Sequence, residues 1–117
     1  MRFSRAPGLI GSLIVRVDGI LDESTLPVLE AKVRMAMALG YPRIVFDMKA
    51  TRGWSERASA SFALLARKAI YGDGMIALAR LENESRKALA SCAENTAPRV
   101  FDSIEESLDF IADGCAV

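Results

Sequence analysis

Seven residues offer chemistry in this sequence, in two groups: Asp22 with Ser24, and Trp54, Ser55, Glu56, Arg57 with Ser59. The second group stands where an apolar run ends and a helical pattern begins. Serine hydroxyls there could accept a phosphate or cap the helix, and the acidic and basic neighbours could meet a charged partner. Asp22 and Ser24 precede another helical pattern and have the same choice between capping and contact.

Catalysis is not the expectation. The chain has no histidine, which removes the commonest general base and the commonest metal ligand together. Its carboxylates are spread along helical faces, no glycine-rich fingerprint follows a strand, and Gly72-Asp73-Gly74 reads as a turn. The sequence therefore predicts no enzyme, no metal site and no cofactor. Cys92 and Cys115 fit neither a zinc pattern nor a disulfide framework. Cys92 falls on an apolar helical stripe and reads as a reduced core residue, whereas Cys115 lies in the C-terminal tail.

At 117 residues, 51% of them hydrophobic, the expectation is one domain over residues 1–117 with a well-packed core. Fifteen basic and fifteen acidic side chains cancel. Without a basic tract, no field is expected that would gather nucleic acid or an anionic membrane, so a protein or a small ligand is the better partner. The apolar run from Leu9 to Val15 is followed by Arg16 and Asp18, not by a cleavage site, and falls short of the ~20 residues that span a bilayer. A cytoplasmic protein without membrane insertion is expected.

The elements that must position these residues follow from periodicity. Leu13, Val15 and Val17 alternate with polar neighbours as a strand does, and a shorter strand near Arg2 to Ser4 could pair with it. Leu26, Leu29, Val33, Ala36 and Met37 recur at helical spacing, with Asp22 or Ser24 as cap, Pro27 in the first turn and Gly40 at the end. Arg43 to Met48 reads as a strand covered on both faces. Ala58, Phe62, Leu65 and Ala69 mark a second helix, and Met75 to Leu81 a further strand. Asn83 opens a helix carrying Ala88, Leu89 and Cys92, and Arg99 to Phe101 forms a last strand. Ser103 and Glu106 form a capping box before Ile104, Leu108 and Ile111. Such alternation predicts an α/β fold: a mixed, mostly parallel sheet of 4–5 strands with about four helices.

The order of elements, together with Asp18-Gly19-Ile20-Leu21-Asp22 and the spacing from Asp47 to Ser55, resembles the STAS domain, the fold of bacterial anti-sigma factor antagonists. In that family an Asp-Ser-Ser-Gly motif starts the helix eight positions after the strand's aspartate and carries the phosphorylatable serine. The same count from Asp47 sets the motif on Ser55-Glu56-Arg57-Ala58, with Arg57 in the acceptor's place. A register shifted by two residues would instead put Ser59 there, so Ser59 and then Ser55 remain the candidates for phosphorylation. The ungapped register keeps an apolar residue, Trp54, where the family has one.

The resemblance implies a domain that binds a kinase-like anti-sigma factor through the loop and helix start near Ser55 to Ser59 together with Asp22 and Ser24. It is also compatible with a regulatory subunit of a transporter or ATPase assembly, with a small-ligand or nucleotide sensor using Arg57, and with a homodimer. Beside these stand plainer readings of the same residues. Ser55 and Glu56 suit a helix start, Arg57 suits a solvated first turn, Asp22 suits a cap, and Trp54 suits a staple between helix and core.

Overall fold

Short apolar runs alternate here with stepped apolar stripes, and each kind forms the element its period dictates. The computed structural model describes residues 1–72, 74–93 and 98–115. In chain order the elements are β1 (Arg2–Arg5), β2 (Ser12–Arg16), β3 (Gly19–Leu21), α1 (Leu26–Ala38), β4 (Arg43–Asp47), β5 (Thr51–Trp54), α2 (Glu56–Tyr71), β6 (Met75–Ala79), α3 (Asn83–Ala93), β7 (Arg99–Phe101) and α4 (Ile104–Cys115).

Five strands form one sheet in the order β1-β2-β4-β6-β7. All its pairings are parallel except β1 with β2. Each step from β2 onward passes through one helix, so the chain crosses the sheet in a single direction, as right-handed crossovers require. This is the mixed, mostly parallel α/β architecture that the sequence predicts.

β4 and β6 are covered on both faces. Ile44, Phe46, Ile76 and Leu78 join Leu29 and Val33 of α1, Phe62 and Leu65 of α2 and Leu89 of α3 in the larger core. Val45, Ala77 and Ala79 point the other way and meet Ile111 of α4. Alanines on that face let α4 lie close to the strands. In α3, Leu89 and Ser85 are buried while Ala88 is exposed. The side chains of Cys92 and Cys115 and the whole of Asp73 lie outside the described residues. Among the described residues no helix is long and apolar enough to cross a membrane.

Local signals set the helix ends. Gly40, at φ +101°, follows α1, and the N–H groups of Gly40 and Tyr41 donate to the carbonyls of Met37 (3.2 Å) and Ala36 (3.1 Å). That pair of bonds is the Schellman motif, which needs a left-handed residue and so favours glycine. At α4 the Ser103 hydroxyl accepts from the Glu106 N–H at 3.1 Å, while the Glu106 carboxylate accepts from the Ser103 hydroxyl at 3.4 Å instead of its N–H, which leaves the expected box half closed.

One element departs from expectation. β3 and β5 pair in parallel as a separate two-stranded ribbon, although both stretches read as connections. At three and four residues they are too short to show a period, and Gly53 argues locally against a strand. Gly53 is there because Ile20 lies over it: a Cβ at that position would sit 2.9 Å from Ile20 Cγ2.

Candidate functional site

β2 and β4 are parallel neighbours, so both release the chain at the same end of the sheet. Their continuations β3 and β5 then pair, with Leu21 opposite Trp54. The residues that follow, Asp22 and Ser55, consequently open α1 and α2 side by side. Asp22, Glu23, Ser24, Ser55, Glu56 and Arg57 line one open cleft of about 670 Å³.

Asp22 organises its side of the cleft. Its Oδ1 accepts from the Ser24 hydroxyl at 2.7 Å, the Ser24 N–H at 2.9 Å and the Thr25 N–H at 3.1 Å. These bonds, the Ser24 hydroxyl foremost, stabilise the carboxylate and hold its pKa below the ordinary 3.8. The Asp22 carbonyl accepts from Leu26 N–H at 2.9 Å, so Asp22 caps the turn that feeds α1. Thr25, immediately before α1, makes no capping bond; its hydroxyl donates to the Ile20 carbonyl at 2.7 Å.

Across the cleft, Ser55 is extended and its hydroxyl accepts from the Ala58 N–H at 3.3 Å, the geometry of an N-cap. Glu56 follows in the first turn, where the helix dipole favours a carboxylate. Arg57 reaches back over the opening, its Nε 3.5 Å from Glu23 Oε1. Both side chains are largely exposed, so the pair contributes little stability. It does join the two helix starts electrostatically.

Trp54 and Ser59 turn inward. The Trp54 ring stacks on Phe62 with centroids 5.5 Å apart, and Phe62 meets Phe46 edge-on at 5.2 Å. Trp54 Nε1 donates to Ser59 Oγ at 2.9 Å. Ser59 is only 1% exposed, so a kinase could reach it only if the first turns of α2 opened. The structure thus gathers Asp22, Ser24, Ser55, Glu56 and Arg57 at the cleft and uses Trp54 and Ser59 beneath it.

Two further contributors escape a reading by pattern. Nothing in its sequence neighbourhood marks Glu23, and only the β3–β5 pairing sets it opposite Arg57. Asp47 and Arg80 form a two-pronged ion pair, Oδ1 to Nε at 3.1 Å and Oδ2 to Nη2 at 2.6 Å, with Asp47 buried. The Asp47 bonds raise the Arg80 pKa above its ordinary value, against the opposing effect of burial. Asp47 Oδ1 also accepts from Lys49 N–H at 3.2 Å, which anchors the turn leading into β5. Arg80 adopts a left-handed φ of 61°, and an arginine ending an apolar strand gives no sequence hint of that. Among the described residues no group of three or more potential ligands could hold a metal ion.

Solved structures share this arrangement. A Thermotoga maritima protein assigned as an anti-sigma factor antagonist superposes with a TM-score of 0.82 at 12% identity, covering 95% of this chain and 93% of that one. The fold is the STAS fold. The Bacillus cell fate determinant SpoIIAA, solved in its phosphorylated form, matches with a TM-score of 0.70 at 15% identity over 94% of this chain and 99% of its own. A murine anion transporter of solute carrier family 26 matches with a TM-score of 0.72 at 15% identity, over 93% of this chain but 19% of the transporter. No protein-family profile matches the sequence, and no curated protein matches it. At such identities the likeness speaks for the fold alone. In this STAS fold the cleft lies beyond the C-terminal ends of β2 and β4, where the connections of an open α/β sheet gather and binding sites form.

Proposed function

We propose that the chain is a non-enzymatic, cytoplasmic regulatory domain that binds a partner protein through the cleft between the starts of α1 and α2, in the manner of an anti-sigma factor antagonist. The observation that carries this reading is the convergence of Asp22, Ser24, Ser55, Glu56 and Arg57 on one opening. An anti-sigma factor is the partner that the likeness to the antagonist SpoIIAA suggests, and the family resemblance makes that factor kinase-like. Arg57 stands where the ungapped register puts the phosphoacceptor, and the guanidinium cannot be esterified as a serine is. Binding is then governed by availability of the partner and not by phosphate on this helix. Calorimetric titration of the cognate anti-sigma factor into wild type and Arg57→Glu tests it. A loss of about tenfold or more in affinity is expected for a fixed charged contact, and unchanged affinity in both Arg57→Glu and Asp22→Ala would remove the cleft from the interface.

A second reading has one observation in its favour: a region of the murine anion transporter shares the fold. On that reading the partner is a transporter or ATPase subunit. The same titration with such a subunit encoded beside this chain decides between the two.

A further inference from the structure

The β3–β5 ribbon is electrically two-ended. Beyond its final residues lies the cleft already described, with the carboxylates of Asp22, Glu23 and Glu56 against the single guanidinium of Arg57. At its beginning lies a second open cleft of about 470 Å³, lined by Arg16, Lys49 and Arg52 with Asp18 as the only acid. Arg16 Nε is paired with Asp18 Oδ1 at 3.3 Å. Lys49 and Arg52 have no ion-pair partner among the described residues. Between the two ends Ile20 is 58% exposed, raised over the space that Gly53 leaves for it.

The two ends cannot neutralise each other within one molecule. From Arg52 to Ser55 the extended chain advances three residues, about 10 Å, and from Lys49 farther still, beyond the Debye length of about 8 Å at physiological salt. A strip that is basic at one end, acidic at the other and apolar in the middle is complementary to itself when reversed. Reversal is what a twofold axis across the strip produces, because an isologous interface sets each patch against the opposite patch of its mate. The equal numbers of acidic and basic side chains leave no long-range repulsion to oppose the encounter.

We propose that two copies of this chain associate through the β3–β5 ribbon, with Lys49 and Arg52 of each docking on the acidic cleft of the other and the two Ile20 side chains meeting near the axis. If that cleft also takes the partner, a point that rests on the proposed function, self-association and partner binding exclude one another. The dimer is then a resting form that needs no phosphate.

Sedimentation equilibrium of the purified chain, with no partner present, tests the association independently of that function. Dimer formation in the micromolar to millimolar range, weakened by salt, is expected. Lys49→Glu/Arg52→Glu makes both ends acidic, and Glu23→Lys/Glu56→Lys makes both ends basic. Each variant alone should dissociate about tenfold or more readily, and an equimolar mixture of the two should recover a dimer at least as tight as wild type. A monomer at every concentration, a dimer indifferent to both reversals, or a mixture that fails to associate would each overturn the proposal.

Discussion

Asp22 focuses four donors on one carboxylate oxygen, the N–H and the hydroxyl of both Ser24 and Thr25, and that fixes how acid acts on the start of α1. Its folded pKa lies below 3.8, so as pH falls the unfolded chain takes up this proton first. The contribution to stability is complete above the ordinary value and is lost as pH drops through the lower folded one. Urea denaturation from neutral to strongly acid pH should therefore show a shallower acid decline in Asp22→Ala than in wild type; parallel declines would contradict the capping role. Asp47 acts at a greater depth. Removing it with Asp47→Ala strands the Arg80 guanidinium and frees the Lys49 N–H, at an expected cost of about 1–3 kcal/mol after allowance for the partial exposure of Arg80. A shift in urea midpoint within error of zero would show that the pair does not hold the turn into β5.

Phe62 links α2 to both the sheet and the loop ahead of it, through Phe46 on one side and Trp54 on the other. Phe62→Ala should cost about 3–5 kcal/mol and alter the fluorescence of Trp54, the sole tryptophan. Loss of stability without a spectral change would mean that the stack does not persist in solution. Gly53→Ala should press on Ile20 and cost about 1–3 kcal/mol, and pairing it with Ile20→Ala should recover part of the loss. Absence of any recovery would argue against the close approach.

The contrast between these elements shows what could be read from residues alone. β4 and β6 were legible as short apolar runs, and α1 and α2 as stepped apolar stripes closed by glycines, Gly40 and Gly72. The ribbon was not, since β3 and β5 are held by their mutual pairing and by long-range bonds such as Thr51 Oγ1 to the Val17 carbonyl at 2.8 Å. For the same reason the cleft was only half visible. Asp22 and Ser55 could be recognised as caps, but their adjacency, and the meeting of Glu23 with Arg57, come from strand order.

For the molecule as a whole, the parallel sheet places two helix starts at one end, in a fold shared with SpoIIAA, which is solved with and without phosphate. Arg57 is exposed and fixed in charge, Ser59 is buried under Trp54, and the Ser55 hydroxyl is engaged as a cap. On the function and the dimer proposed above, control would lie in competition for the cleft and not in covalent modification. The most direct measurement is the intact mass of the protein after incubation with ATP and the anti-sigma kinase proposed as its partner, read together with its affinity for that kinase before and after. Unchanged mass with retained binding is the predicted result; a stoichiometric phosphate on Ser55 or Ser59, accompanied by release of the kinase, would contradict it.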